Sequence, residues 1–154
     1  YTEGSSMFFG SEFHVKWKIA KWISQELGME YVFNQNLELG MPLPFTPPFS
    51  AREEIEFTPA FKVNWLKKAH LSLIAHYFAP QYRTDINEPR TEGYFLLHLT
   101  TGNTFSIGKN HLGITIQVRN MTNAKYLNNM SRYRILNLPE QGINFSITLK
   151  YAFN

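Results

Sequence analysis

Over residues 143–153 apolar side chains recur at every second position: Ile143, Phe145, Ile147, Leu149, Tyr151 and Phe153. Asn144, Ser146, Thr148, Lys150 and Ala152 stand between them. Successive side chains of a strand point to opposite faces, so this stretch predicts a strand with one greasy and one mostly polar side. The same period runs through the rest of the chain. In 9–19, Phe9, Phe13, Val15, Trp17 and Ile19 alternate with Gly10, Glu12, His14, Lys16 and Lys18. In 23–34, Ile23, Leu27, Met29, Tyr31 and Phe33 oppose Ser24, Glu26, Gly28, Glu30 and Asn34, with Gln25 and Val32 out of pattern. A third strand is predicted over 52–65, with Ile55, Phe57, Phe61, Val63 and Trp65 set against Arg52, Glu54, Glu56, Thr58, Lys62 and Asn64. Pro59 lacks an N–H and predicts a bulge or a missing ladder bond there. Strands over 69–79, 93–105 and 112–118 complete the set, the first with the least tidy division of faces.

The connections sort by length. Turns at 20–22, 66–68 and 106–111 are short, whereas 35–50, 80–92 and 120–141 are long, and the two kinds alternate. The first long connection holds four prolines between 42 and 48, which keep it out of a sheet interior. Trp17, Trp22 and Trp65 all fall near short turns. Short turns on one rim, long loops on the other and an aromatic belt at the membrane interface are features of transmembrane barrels. A strand of about eleven residues is also long enough to cross a bilayer when tilted. The predicted fold is all-β: an antiparallel, up-and-down transmembrane β-barrel. Seven strands leave two unpaired edges, which lipid cannot satisfy. Single-chain bacterial barrels have even strand counts, so the expectation is a C-terminal part of a larger barrel.

Composition narrows the function classes. The 154 residues contain no cysteine, which removes disulfide frameworks and thiolate metal sites. A net charge of +3, with Lys and Arg spread along the chain, gives no concentrated basic face, so no nucleic-acid partner is expected. Aromatics reach 16 %. No apolar run approaches a spanning helix, a test that barrel strands do not enter. The first residues show neither a basic nor an apolar leader segment.

Catalytic motifs are lacking: no G-x-S-x-G, no H-E-x-x-H and no phosphate-cradling glycine loop occur. No enzyme activity, metal site or cofactor is therefore expected. His70 and His76 share a predicted face but lie about 20 Å apart at strand rise, too far to share an ion. His14, His98 and His111 stand on other strands or turns. Sequons at Asn120, Asn129 and Asn144 are read as chance, the last lying inside a predicted strand. The polar faces carry Glu12, His14, Lys16, Arg52 and Glu54, expected to line a lumen with both signs of charge. A charge-balanced wall of cross-strand pairs is the simpler reading, and a polar path along the wall the functional one. The long loops carry Tyr82 and Arg83, then Arg132, Tyr133 and Arg134. Arginine beside tyrosine suits an anionic or catecholate ligand through paired hydrogen bonds and ring contact; solvated charge or contact with anionic surface lipid is the plainer alternative.

Several segments together resemble TonB-dependent outer-membrane receptors: Gly10-Ser11-Glu12, the proline-rich run from Pro42 to Pro48, residues 93–99, and Val118 to Tyr126. The last keeps the Asn120 and Tyr126 of a family segment and varies between them. Pro139 and Gly142 stand before the final strand where the family has Pro-Gly-Arg, and Asn154 follows the terminal aromatic Phe153. The resemblance implies a barrel of about twenty-two strands filled by a plug, this chain supplying its last seven strands and three external loops. It implies a bacterial outer-membrane receptor that imports a scarce solute such as a ferric siderophore. Its implied partners are the plug and remaining strands, the TonB–ExbB–ExbD complex acting through the plug, outer-membrane lipid and lipopolysaccharide, and the imported ligand. A soluble or small outer-membrane barrel binding lipid or another apolar ligand is the alternative. An outer-membrane barrel enzyme would need an eighth strand and a polar triad.

Overall fold

The computed structural model describes residues 4–61 and 63–153. Lys62 and Asn154, both named above, lie outside the described residues. Seven strands form a single antiparallel sheet in the order β1-β2-β3-β4-β5-β6-β7, every strand hydrogen-bonded to its sequence neighbour. They are β1 (Ser6–Ala20), β2 (Ile23–Asn36), β3 (Ser50–Phe57), β4 (Leu66–Phe78), β5 (Tyr94–Ile107), β6 (Asn110–Arg119) and β7 (Asn144–Ala152). The sheet is not closed; β1 and β7 are its edges. A short 3-10 helix, Arg132–Leu136, sits in the loop before β7 and was not expected from the strand-period pattern.

Registers settle the faces, because residues directly opposite across an antiparallel ladder share one face. Val15 faces Leu27, Ile55 faces Leu73, Leu73 faces Leu99, and Ile116 faces Ile147. These residues form one continuous apolar surface. On the other face Lys16 lies opposite Glu26, which lies opposite Glu54, while Arg52 lies opposite His76. Among the described residues no second layer of strands or helices covers either side. Leu96 is the one buried apolar side chain among the described residues, whereas Phe145, Ile147 and Leu149 are each about two-thirds exposed. Water does not tolerate so large a bare apolar area on a stable chain.

Gln25, which broke the alternation, does lie on the apolar face, opposite Trp17 and Ile55. Its amide donates to Glu53, which occupies the same face between Leu27 and Ala75. These two polar groups of the apolar band thus satisfy one another, and Thr101 Oγ1, on the same face, donates to the His70 carbonyl at 3.0 Å.

The third strand needs correction. Alternation continues to Trp65, but β3 ends at Phe57 and residues 58–65 form the connection. Pro59 withholds the donor that a continued ladder would need. The predicted turn at 66–68 belongs instead to β4, with a register shift between Leu66 and Lys68. The β5–β6 turn is tighter than predicted: Ile107 pairs with Asn110, and Gly108 takes φ 61°, the left-handed backbone a two-residue hairpin uses.

Leu97 sits within the apolar band and Thr100 on the polar face. Leu97→Arg is expected to cost about 2–4 kcal/mol of folding stability in a phospholipid bilayer, read as a shift in the denaturant midpoint in vesicles. Thr100→Arg should stay within about 1 kcal/mol on the same scale. Equal costs at the two positions would mean that the apolar face does not meet hydrocarbon.

Candidate functional site: the long-loop rim and the polar face

The long loops meet on one rim, and buried polar side chains knit them together. Asn34, at the end of β2, accepts from Leu43 N at 3.0 Å and from Thr46 Oγ1 at 2.8 Å, fixing the turn of the first loop. The carbonyl oxygen of Thr46 then accepts Gln81 Nε2 at 3.0 Å from the second loop and Asn129 Nδ2 at 2.6 Å from the third. Thr91 Oγ1 donates to Asn129 Oδ1 at 3.2 Å. Glu88 takes the amide of Phe45 at 2.8 Å and that of Asp85 at 3.2 Å, and pairs with the guanidinium of Arg134. Arg134 also donates to Asn129, and its charge lies 5.0 Å from the Phe45 ring centre.

Arg134 is only 2 % exposed. The expectation that it grips a ligand at the loop surface is therefore corrected: it is a bolt between the second and third loops. Its neighbours in sequence behave oppositely. The short helix, capped by Ser131 Oγ and closed by Asn137 in a left-handed conformation, turns Arg134 inward and leaves Arg132 and Tyr133 exposed. Tyr133 is 66 % exposed, and Ile135 and Leu136 of the same short helix are exposed as well. Arg83 is half-committed: it donates to the Asn34 carbonyl at 3.2 Å and stacks 3.9 Å over the Phe33 ring. Tyr82 is exposed and donates to Glu92 at 2.9 Å. That bond to a carboxylate holds the Tyr82 phenol above its ordinary pKa. Tyr82 and Arg83 thus find their partners at Glu92, Asn34 and Phe33, away from the Arg132–Tyr133 segment.

Sequence reasoning missed a cleft of about 450 Å³ at this rim, lined in part by Arg90, Glu92, Tyr94, Lys125, Tyr126 and Pro139. Tyr126 stacks on Tyr94 at 4.2 Å, Tyr94 on Phe78 at 4.6 Å, and Phe78 meets His76 at 4.1 Å. A ladder of rings thus runs from the polar face up to the cleft. Burial, then the charge of Glu140, keep the Tyr126 phenol protonated well above neutral pH. Both loop phenols therefore offer O–H groups rather than phenolates at neutral pH. Gly93 permits the cleft's wall: a Cβ there would lie 2.8 Å from Pro80 Cδ and 2.9 Å from the Phe78 carbonyl oxygen. The segment with Asn120 and Tyr126 held a usable signal. Asn120, 3 % exposed with φ 49°, bonds Ala124 in both directions and reaches the Gln141 carbonyl, so it ties the two ends of the third loop and positions Tyr126.

On the polar face, Glu12, His14, Lys16, Arg52 and Glu54 do share one side of the sheet. The structure gathers four of them around Glu26: His14 Nε2 and Lys16 Nζ at 3.1 Å, Arg52 at 3.6 Å, with Glu54 joined through Arg52. Ser72 donates to Glu54. Glu12 stands apart, opposite Glu30. The histidines are dispersed: His98 Nδ1 accepts the Asn120 amide, His111 meets Ser106, and His70 covers Gly102. Among the described residues no group of three His, Asp or Glu side chains is placed to hold a metal ion.

No family model matches the chain, and no curated protein does. Solved structures do. One is titled copper transporter OprC, with a TM-score of 0.83 at 15 % identity, covering 99 % of this chain and 24 % of that one. The chain thus has the fold of about a quarter of that protein, an antiparallel up-and-down barrel architecture. At this identity the likeness speaks for the fold alone.

Arg134→Met leaves Glu88 buried without its cation and is expected to cost about 3–5 kcal/mol, with protease cutting appearing in the second and third loops. Glu88→Gln combined with Arg134→Met should recover much of that loss. A double variant as damaged as the single one would show that the pair is not what joins the loops.

Proposed function

We propose that this chain is a C-terminal segment of a transporter in the bacterial outer membrane, forming part of the barrel wall and three external loops. The observation that carries the reading is the bare apolar face spanning the whole sheet, opposite a charged face, with loop length sorted by rim. Hydrocarbon outside and water or protein inside suit these two surfaces. The likeness in fold to about a quarter of the copper transporter OprC supports it. The remaining wall and a plug would come from residues outside this chain, and energy coupling from the TonB–ExbB–ExbD complex acting on that plug. Lipopolysaccharide would surround the long-loop rim.

The solute is proposed to be a scarce, ring-bearing anionic chelate, of which a ferric siderophore is the leading case. Arg132 and Tyr133 are exposed together beside apolar Ile135 and Leu136, giving charge, a phenol donor and ring contact in one patch. Arg90, Lys125 and Tyr126 offer the same groups in the adjacent cleft. The phenols of Tyr82 and Tyr126 stay protonated at neutral pH and can donate hydrogen bonds to ligand oxygens.

Two measurements test this. The polypeptide extracted from its native membrane in detergent should have a mass several times 18.0 kDa, with these peptides at its C-terminal end; a membrane-embedded species of this mass alone would refute the larger barrel, and a monomer stable in plain buffer the membrane placement. Binding of the ferric complex of dihydroxybenzoate should weaken about tenfold in Arg132→Ala/Tyr133→Ala, as removal of a central anchor does. Unaltered binding, or tighter binding of bare copper(II), would set the chelate proposal aside.

A further inference from the structure

We infer that the short-turn rim is a binding site for an anionic phospholipid of the surrounding bilayer, one acyl chain lying in a groove beside Trp22 and the phosphate resting on Lys21 and Lys67. The inference rests on the membrane placement proposed above.

The groove exists because one short connection is longer than the other two. Pro59 and Phe61 of this connection line the groove together with Ala69 and Leu71 of the apolar face, and the connection is fastened near both ends: Thr58 N donates to the Trp22 carbonyl at 2.9 Å, and Ser106 N to the Trp65 carbonyl at 2.8 Å. Trp22 packs against Phe57 at 6.2 Å, and Trp65 lies parallel to Phe105 at 5.9 Å. Between these fastenings remains a volume of about 400 Å³, walled by Trp22, Phe57, Phe61, Leu66, Ala69 and Leu71. Phe57, Ala69 and Leu71 belong to the apolar face, so the groove opens sideways into hydrocarbon. Its walls are mainly aromatic and aliphatic, with His70, Thr101 and Asn103 also lining it, and they suit a flexible chain better than a polar solute.

Charge selects the headgroup. Lys18, Lys21, Lys67, Lys68 and Lys109 lie in the short connections or within three residues of them, all exposed. Within the same limits stands a single carboxylate, Glu56, which accepts from Ser24 at 3.3 Å. The long-loop rim differs: Asp85, Glu88, Glu92 and Glu140 balance its arginines. Tryptophans settle at headgroup depth, and Trp22 and Trp65 are half-exposed on this same rim, so the lysines beside them stand at the level of lipid phosphates. Apolar groove and cationic lip together match an anionic phospholipid.

The test is native mass spectrometry of the detergent-purified, full-length protein with equimolar phosphatidylglycerol and phosphatidylcholine bearing the same palmitoyl and oleoyl chains. Phosphatidylglycerol adducts should dominate. Lys21→Gln and Lys67→Gln should each lower that preference about fivefold, and Lys125→Gln on the opposite rim should leave it alone. Ala69→Trp, filling the groove, should lower retention of both lipids. Heat-modifiable migration on gels certifies each variant as folded, and Lys67→Arg, which keeps the charge, should keep the preference. Equal adducts of both lipids, or a preference indifferent to the lysines, would overturn the site. Displacement of the lipid by inorganic phosphate alone would also overturn it, by showing an anion site without a chain groove. Loss of the membrane placement itself would show separately, as a protein monodisperse without detergent.

Discussion

Everything in this molecule follows from being one layer thick. A sheet with no second layer obtains nothing from an interior, so its cohesion comes from ladder hydrogen bonds between neighbours and from whatever wets its two sides. Each ladder bond is local, joining strands adjacent in sequence. The side chains are then free to answer two unlike surroundings, and they do so strand by strand: apolar at one parity, charged at the other. Polar groups that stray to the wrong side need a companion, as Gln25 and Glu53 supply to one another. The edges at β1 and β7 follow from the same thinness, since their outward N–H and C=O groups have no ladder partner within the sheet.

That simplicity explains how much the sequence discloses. Parity is a local signal, and a period of two survives in each strand without knowledge of any other. The residues of the polar face could be grouped from spacing alone, and the pairing of neighbours follows from short and long connections. The same signal misled at 58–65, where Phe61, Val63 and Trp65 keep the alternation past Pro59 although the ladder stops at Phe57. There the aromatic residues serve the rim, and a proline's missing donor outweighs the pattern. The 3-10 helix, with its different period, was equally invisible to a reading tuned to strands.

The loop rim was far less legible. Its organising contacts join Asn34 to Thr46, Thr46 to Asn129 and Glu88 to Arg134, across separations of 12, 83 and 46 residues. No periodicity relates such positions. Arg132 and Arg134 look equivalent in sequence, yet one turn of helix sends the first to solvent and the second into the hub. Tyr94 and Tyr126 likewise belong to different segments and acquire meaning only when stacked. Asn120 was noticed as part of a recurring segment, and the structure supplies its reason: a buried amide that turns the chain and returns the loop's far end to its root.

The hub's meeting point is the carbonyl oxygen of Thr46, a main-chain atom. Side chains can be exchanged by mutation; a peptide oxygen cannot. Gln81 and Asn129 therefore anchor two loops to a feature that persists through any substitution at position 46, provided the turn around it keeps its shape. The exposed loop tips beyond that anchorage, such as Ile86 and Tyr133, can change by substitution while the footing beneath them stays in register.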